Sequence, residues 1–590
     1  EITFGGRGRA IGVSGELLFA LEARYRRAFQ RLEQLGRHDE AAFVLAELLR
    51  SEEEAVAYLE RHGRLRQAAA LAEGRGLPPG LAIRLWFLAG DESRAIRLAR
   101  AHRAWTDAVD RLERAGKRDQ SAALRLRWAD DLAEAGDLAG AVRAALPVTQ
   151  ARRLVERWIE LAVSAGGMAG HAVLGSWVAL RPEHFATVRD RVMAACADAG
   201  PEGHGFRRAV AGGLLCAPST AEVKALARPL ERALLVDAAS GQHAPERNAI
   251  GKLADDPLLR VDVPSTSAWV DRMRPPAQIA LAVPADDHGT RPVHDAAALP
   301  GGRLLVALGE GGARLHARDG RELARFDVPA HRLVLSDAGT RALAVGARGE
   351  VVSVARIDLE ARTMRRLRDV QLDGFASTFD GIAWPVRSQR TVHLLDTLHE
   401  GLPTLWSVSE LGGWPLALER PVPGLLTFVV VGGDDWEGWA FHDGVLRQRT
   451  TLDPGGSGTD PAGLLVAGRV ATTTGRSEVR WSAIRIPEDG GAPCLGAIDR
   501  QGGASAPIAG ATGLLSLVGG ARLVAAYRSG DAVEVQWFSP GHEPLGRLRL
   551  EGAGHAIARP GGDRITAADD TGRVLVIDAV RGRLLQHHRF

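Results

Sequence analysis

Two stretches of the chain, far apart in sequence, follow the same order of turns and strands. ALPGGRLLVALGEGGARLHARDGRELARF covers residues 298–326, and ARPGGDRITAADDTGRVLVIDAVRGRLLQHHRF covers residues 558–590. Each opens with Pro-Gly-Gly and continues as short apolar segments separated by turns that contain Gly. A third copy, residues 335–357, has Asp337 and Gly339 at its first turn. A small sheet that recurs in this way must pack against its own copies to bury its faces.

The spacing of these copies predicts how many there are. Pro300 and Pro560 are 260 residues apart, which fits about six units of 43 residues, the length of a four-stranded propeller blade. We therefore predict a β-propeller of about seven blades over residues 277–590. Strand-rich segments place the intervening blades near residues 375–413, 414–454, 462–503 and 504–552. The segment QIALAVP, residues 278–284, is predicted to add an outer strand to the last blade and close the ring.

The last copy contains an acidic stretch, DDTGRVLVIDAVRGRLL, that has two interpretations. Asp569, Asp570 and Asp578 either hold a metal or a substrate, or shape turns. Asp and Gly favour tight turns through side-chain hydrogen bonds and positive φ. A metal or catalytic role needs partners that converge from other segments, and one turn of one blade does not supply them. We interpret Asp570, Gly572, Asp578 and Gly582 as structural turn residues.

The first 239 residues have helical periodicity and a recurrent turn. Each turn consists of a Gly, four mostly polar residues and then a small residue. The Gly residues of these turns are Gly36, Gly63, Gly90, Gly116 and Gly136. Gly ends a helix in the left-handed conformation, and the small residue lets neighbouring helices approach. Because helical hairpins must stack to bury a face, we predict a tetratricopeptide-like α-solenoid over residues 1–239, with an irregular helical bundle as the alternative.

Residues 240–276 are predicted to be a linker, because Pro-containing segments such as GQHAPERN and DVPSTS break helices. The predicted fold class is thus multidomain, α followed by all-β. Domains are expected at 1–239 and 277–590.

Composition excludes several classes of protein. Apolar residues make up 45% and charged residues 25% of the chain, as in ordinary globular proteins. The formal net charge is +2 without a basic cluster, so we expect no nucleic acid partner. The three cysteines are too far apart for a disulfide framework or a zinc site. The longest apolar stretch is about half a membrane span, and the first residues lack the apolar core of a signal peptide. We expect a cytoplasmic protein with no membrane insertion.

Motifs of catalysis are missing from the sequence. It contains no P-loop, no Gly-x-Ser-x-Gly elbow and no His-Glu-x-x-His. We therefore predict no catalytic, cofactor-binding or metal-binding residues. DDWEGWAF contains Trp436 and Trp439, for which two roles stay open. Tryptophan fills the space between packed sheets, or it anchors a protein partner at an interface.

The chain resembles the propeller-bearing (bpX-type) subunits of bacterial MoxR–von Willebrand A–β-propeller ternary systems. The resemblance depends on GRHDEAAFVLAELL, residues 36–49, in the helical repeats and on GRVLVIDAVRGRLL, residues 572–585, in the blades. It implies a MoxR-type AAA+ ATPase and a von Willebrand A protein as partners, and a non-enzymatic adaptor that presents a client. No catalytic residue is implied.

Three functions follow as hypotheses. The first is a protein-binding scaffold or adaptor, because the solenoid and the propeller both offer large surfaces. The second is an enzyme with its site in the central channel, which would need polar side chains from several blades to converge on the axis. The third is a propeller that senses a small ligand or peptide.

Overall fold

The structure is a computed structural model. It describes residues 15–198, 202–239, 245–256, 279–349, 351–409, 411–433, 435–453, 465–473, 476–485, 492–498, 506–519, 522–539 and 541–590. Within these residues a helical N-terminal region precedes seven sheets, five of four strands and two of five strands, that form a β-propeller, which confirms the predicted fold class. Contacts divide the chain into two compact units, residues 1–124 and residues 125–590. No helix in the described ranges has both the length and the apolar character needed to cross a membrane.

The helices are short and follow one another closely. Their bounds are α1 Gly15–Gln34, α2 His38–Phe43, α3 Glu52–Arg61, α4 Leu65–Gly74, α5 Pro79–Leu88, α6 Glu92–His102, α7 Trp105–Arg114, α8 Arg118–Glu134, α9 Leu138–Ala145, α10 Arg152–Ala165, α11 Gly167–Ala172, α12 Leu174–Leu180, α13 Phe185–Ala197, α14 Gly203–Cys216, α15 Ala221–Ala239 and α16 Arg247–Ala254. In the first unit α4 packs against α3 and α5, and α5 packs against α6 and α7.

The recurrent turns have one geometry. Gly36, Gly63, Gly90, Gly116 and Gly136 all have positive φ, between +69° and +86°. In each turn the N–H of the next residue donates to the carbonyl five residues back, as in a Schellman motif. The small residue five positions after each Gly is buried. These small residues are Ala41, Ala68, Ala95, Ser121 and Ala141.

The strands are grouped by blade. Blade 1 has β2 Asp295–Ala298, β3 Leu304–Ala307, β4 Ala313–His316 and β5 Glu322–Phe326; blade 2 has β6 Arg332–Ser336, β7 Arg341–Arg348, β8 Val351–Asp358 and β9 Thr363–Arg366; blade 3 has β10 Gly374–Phe375, β11 Thr378–Phe379, β12 Ala383–Ser388, β13 Thr391–Asp396 and β14 Thr404–Val408; blade 4 has β15 Trp414–Val422, β16 Leu425–Gly432, β17 Asp435–His442 and β18 Val445–Leu452. Blade 5 has β19 Leu465–Thr473, β20 Arg476–Arg485, β21 Cys494–Ala497 and β22 Ala506–Pro507; blade 6 has β23 Gly513–Val518, β24 Leu523–Ser529, β25 Ala532–Phe538 and β26 Pro544–Glu551; blade 7 has β27 Ala556–Gly561, β28 Arg564–Asp569, β29 Arg573–Asp578 and β30 Arg583–Arg589.

Each blade is an antiparallel meander whose first strand is innermost. All inner strands therefore begin at one face of the propeller, which we name the front face. They end at the opposite face, which we name the back face. Turns between the second and third strands lie at the front, and turns between the first and second strands lie at the back. In blade 3, β11 leaves its own sheet and pairs in parallel with β6, which joins blades 2 and 3 through backbone hydrogen bonds.

The ring closes differently from the prediction. The strand β1, Ile279–Val283, pairs in parallel with β26 on the outside of blade 6, whereas the sequence predicted it on the last blade. All four strands of blade 7 come from the C-terminal residues. The closure uses the segment before blade 1, where the N–H of Gly289 donates to the carbonyl of Thr571 at 2.9 Å and the N–H of Arg291 donates to that of Phe590 at 2.9 Å.

The propeller core lies between blades. Strands alternate their side chains between the two faces of each sheet, so every blade contributes apolar residues to both neighbours. Trp384, Trp481 and Trp537 are fully buried in these layers. The stretch predicted as a linker includes the helix α16, which packs against α15. Residues 257–276 of that stretch lie outside the described residues, and the domain boundaries stay a prediction.

Candidate functional site

A buried ion pair links four blades at the propeller axis. Asp295, the first residue of the inner strand of blade 1, is fully buried. Arg559, from the inner strand of blade 7, binds both oxygens of that carboxylate, and its Nε donates to Oδ1 at 2.7 Å. The N–H of Leu333 in blade 2 donates to Oδ2 at 2.8 Å. Arg559 also donates to the carbonyls of Leu333 and of Ser377 in blade 3. The protein's own side chains therefore occupy the axis here.

Two further contacts cross the axis toward the back face. Arg420, near the end of β15, binds the carboxylate of Asp337 in blade 2 through two hydrogen bonds of 3.0 and 2.9 Å. Asp337 was predicted as a turn residue, and it follows β6 directly. The neighbouring Glu419 accepts a hydrogen bond of 3.3 Å from the N–H of Gly519 in blade 6. These contacts join blade 4 to blades 2 and 6, which are not its neighbours in the ring.

Glu419 is the carboxyl group most perturbed by this environment. Its side chain points among the inner strands, where protein surrounds it even though part of its surface stays accessible. Burial raises the pKa of Glu419 from 4.5 to about 8, and the N–H of Gly519 opposes this effect only in part. Glu419 is therefore protonated at neutral pH.

We expect Glu419→Gln to remove a pH dependence of stability. The folded state holds the Glu419 proton more strongly than the unfolded chain does, so its stabilising effect is complete below 4.5 and is lost as the pH rises through about 8. The variant has no such proton. Above neutral pH its free energy of unfolding should therefore exceed that of the wild type by about 1–2 kcal/mol, after allowance for partial solvent access, and it should unfold at a higher temperature. Thermal unfolding measured across this pH range, with Glu310→Gln in the exposed turn between β3 and β4 as a control, checks the prediction. Equal pH profiles for wild type and Glu419→Gln would contradict it.

The end of α8 docks on the back face of blades 2 and 3. The hydroxyl of Thr340 donates to the carbonyl of Gly136 at 3.0 Å, and Arg356 donates to the carbonyl of Glu134 at 2.7 Å. Ala135, between them, packs against Ile382 in an apolar cluster. These carbonyls are the negative end of a helix, where a guanidinium is favourable. Gly136, one of the five equivalent turn residues, is thus the one that contacts the propeller in the second unit.

Arg356 is strongly affected by its place in this contact. Burial, with the nearby charges of Arg341 and Arg365, lowers the pKa of Arg356 to about 10. The negative charges of Glu134 and Asp358 offset only part of this effect. The guanidinium stays charged at neutral pH, and its hydrogen bond to the helix end is charge-assisted.

A second helical contact bridges the last and the first blade. The carboxylate of Glu202, just before α14, accepts a hydrogen bond from Arg564 of blade 7 at 3.0 Å. Its other oxygen accepts from the N–H of Gly301 of blade 1 at 2.9 Å. The helices of the second unit therefore contact the back face at blades 7, 1, 2 and 3.

The front face of the same blades carries a group of histidines. His555, His294 and His331 each immediately precede the inner strand of blades 7, 1 and 2 respectively, so they occupy one repeated position in three successive blades. The rings of His294 and His331 are 4.9 Å apart in an edge-to-face arrangement. Arg332 and Arg528 are exposed beside them. Sequence analysis missed this group, because its members are single histidines separated by long segments.

The charges of this group influence one another. Burial lowers the pKa of His294, and the charges of His331, Arg332 and His555 lower it further. The pKa of His555 is lowered by burial and by Arg332 and Arg528, while Asp570 opposes the shift. These two histidines are therefore neutral at pH 7 in the free protein.

The remaining predicted turn residues lie in turns of blades 2 and 7. Gly339, Gly572 and Gly582 have positive φ, of +66°, +92° and +65°. One carboxylate oxygen of Asp578 accepts from the N–H groups of Val580 and Arg581. Asp570 accepts from the N–H of Gly554 at 3.1 Å. Among the described residues, these turn acids form no group with acids of another blade that could hold a metal ion.

Asp569 has a different role, as half of a fully buried ion pair. Arg573 donates to it at 2.6 Å, and both side chains are inaccessible to solvent. Arg573 also donates to the carbonyls of Pro284 and Glu551, which ties blade 7 to the segment after β1 and to blade 6. The spacing Asp-x-x-x-Arg across a turn is the only sequence signal of this pair.

Trp436 and Trp439 lie in the blade core. Trp436 is 3% exposed and packs in the cluster between blades 4 and 5, and Trp439 is 8% exposed and stacks with Phe428 and Phe441 between blades 3 and 4. The first of the two predicted roles agrees with this burial. The prediction that they anchor a partner needs correction, because neither ring is available at the surface.

The described side chains do not form a group of three or more His, Cys, Asp or Glu residues that could hold a metal ion. The cysteines Cys196, Cys216 and Cys494 are unpaired.

Comparison with known proteins extends only to the fold. No protein-family profile matches the chain, and no curated protein sequence matches it. Propeller structures resemble it weakly. BamB from Moraxella catarrhalis is 15% identical with a TM-score of 0.29, covering 50% of this chain and 87% of that one. The dihydro-heme d1 dehydrogenase NirN is 14% identical with a TM-score of 0.32, covering 48% of this chain and 63%, less than two-thirds, of that one. A prolyl endopeptidase is 13% identical with a TM-score of 0.34, covering 58% of this chain and 55% of that one. These likenesses are too distant to indicate a function, and none supports membership in the predicted ternary system.

Proposed function

We propose that the protein is a non-enzymatic scaffold that binds protein partners through the front face of its propeller. The observation that carries the proposal is the ion pair of Arg559 with Asp295, which connects the inner strands of blades 7, 1, 2 and 3. Inner strands tied together in this way support a rigid surface for a partner.

The contacts of the helical segment support the same proposal. They use the back face of blades 7, 1, 2 and 3 and leave the front face of these blades available. A scaffold needs one surface for its own domains and another for its partner. In this propeller the helices contact the back face, and the proposed partner would bind the front face.

The partners remain those that the resemblance implies, a MoxR-type AAA+ ATPase and a von Willebrand A protein, with a client still to be identified. An enzyme with a central-channel site is the second candidate, and Glu419 is the observation that favours it. A carboxyl group protonated at neutral pH near the axis has the properties of a general acid. Arg420 and Asp337 beside it occupy the space that a substrate would need. A sensor of a small ligand or peptide is the third candidate.

Affinity purification from native cells tests the scaffold. We expect the tagged full chain to retain a stoichiometric protein complex through size-exclusion chromatography, with the ATPase and the von Willebrand A protein identified by mass spectrometry. A matched sample with Arg332 and Arg528 changed to Gln reports whether the front face is needed. Recovery of the chain alone from gentle lysates would overturn the proposal.

A further inference from the structure

The front face over blades 7, 1 and 2 has the properties of a binding surface for anions. Three of its members, His555, His294 and His331, occupy one repeated position in three successive blades, and Arg528 comes from the adjoining blade 6. His294 and His555 are exposed and His331 is half-buried. Because the blades repeat, the backbone presents these rings in similar settings around the axis. The backbone N–H groups of His294 and His331 both bond to the second strand of their own blade, at 2.9 and 2.8 Å.

Among the residues that the structure describes, the two arginines beside them form no ion pair with an acidic side chain. In the described part of the chain no carboxylate lies within ion-pair distance of Arg332 or Arg528, and both side chains are exposed. Less exposed arginines of the same propeller do have such partners: half-buried Arg559 binds Asp295, and fully buried Arg573 binds Asp569. An unpaired guanidinium in a group of imidazoles is a donor available for an external carboxylate.

The tautomer of one histidine is set by the backbone. The Nδ1 of His331 accepts a hydrogen bond of 3.2 Å from the N–H of Ala347. Its proton is therefore on Nε2, which is a donor even while the ring is neutral.

The floor beneath the group is the Asp295–Arg559 pair, which is already neutralised. A ligand must lie across the face rather than enter the axis.

We propose that this front-face group, comprising His294, His331, His555, Arg332 and Arg528, binds an extended, carboxylate-rich segment of a protein partner. The inference rests on the proposed scaffold function and names the chemistry of its partner. A nucleic acid fits less well, because the basic area is small and nearby front-face turns of blades 1 and 6 carry Glu310 and Asp531. A polyphosphate chain needs a longer uninterrupted row of cations.

Binding should take up protons. The groups that act on the two exposed rings are Arg332, Arg528, the neighbouring histidines and Asp570. All of these except Asp570 disfavour the charged imidazole, and a bound carboxylate reverses that balance. Affinity should therefore rise as the pH falls from neutral toward 6, by roughly tenfold for two histidines that become protonated.

The test uses the full chain and a short fluorescent peptide of alternating Glu and Gly, with the Gln–Gly peptide as its neutral match. Fluorescence anisotropy should show binding of the Glu peptide only, weakened about tenfold by Arg332→Gln with Arg528→Gln. Arg366→Gln, an exposed arginine on the outer strand of blade 2, should change nothing. Changing the three histidines to Gln should remove the pH dependence. Unaltered thermal unfolding establishes that these surface variants are folded.

Three results would overturn the inference: no binding of the Glu peptide, equal binding by the arginine variant, or tighter binding of a single-stranded oligonucleotide of equal charge. Failure of the scaffold proposal is a separate result, because it appears as a chain that co-purifies with no partner. If a partner is recovered equally well with the arginine variant, the scaffold stands and this surface is not its site.

Discussion

Gly136→Ala should destabilise the second unit by about 2–4 kcal/mol, from the loss of a buried hydrogen bond together with a strained backbone. Gly136 has φ +86°, and a Cβ there would lie 2.2 Å from the hydroxyl oxygen of Thr340 and 2.9 Å from a guanidinium nitrogen of Arg341. Thr340 would have to turn away, which breaks its bond to the Gly136 carbonyl. Calorimetric unfolding and amide hydrogen exchange at the end of α8 measure the effect.

Gly116→Ala is the matched control, since Gly116 occupies the same turn type with φ +70° and open space around it. It should lose only the backbone contribution, about 1 kcal/mol. Hydrogen exchange at the end of α8 should accelerate in the Gly136 variant and stay unchanged in the Gly116 variant. Equal losses in the two variants would mean that the contact with Thr340 contributes nothing.

Arg559→Met should cost about 3–5 kcal/mol, because it leaves the buried carboxylate of Asp295 without its cation. The N–H of Leu333 would be the remaining donor that the structure gives to that carboxylate. The double variant with Asp295→Asn has no charge to compensate, and we expect it to recover at least half of the loss. Urea unfolding of the single and double variants forms the thermodynamic cycle.

Arg366→Met, an exposed substitution on β9, controls for the loss of an arginine and should change stability by less than about 0.5 kcal/mol. A double variant no more stable than Arg559→Met would show that packing around the guanidinium, rather than its charge, connects the four blades. That result would also remove the main support for a charge-based connection between the four inner strands.

Local patterns predicted the blades well, and the reason is physical. Turns such as Asp578–Gly582 are determined by side-chain hydrogen bonds and positive φ within a few residues. The sequence therefore predicts them. The spacing of Pro300 and Pro560 worked as a measure of blade number because Pro300 lies in the back-face turn of blade 1 and Pro560 lies just before the equivalent turn of blade 7.

Contacts between residues that are far apart in the chain could not be predicted in this way. Gly116 and Gly136 have the same local pattern, yet only Gly136 contacts Thr340, which lies 204 residues later in the chain. The partner of Arg559 is 264 residues away. The placement of β1 on blade 6 depends on which sheet edge is open after folding. The sequence favours the blade core for Trp436 and Trp439 but leaves a surface role open, and only packing decides between the two.

The carboxylate of Glu202 has a consequence for how the ring is made. It binds Gly301 and Arg564, which are 263 residues apart in the chain and on either side of the seam between the first and last blades. A ribosome releases the helices that hold Glu202 before any blade exists, then blade 1, and blade 7 last. We expect blade 1 to bind the helical segment early in synthesis, and blade 7 to bind the same Glu202 carboxylate when it folds last. The ring would then close against helices that are synthesised first.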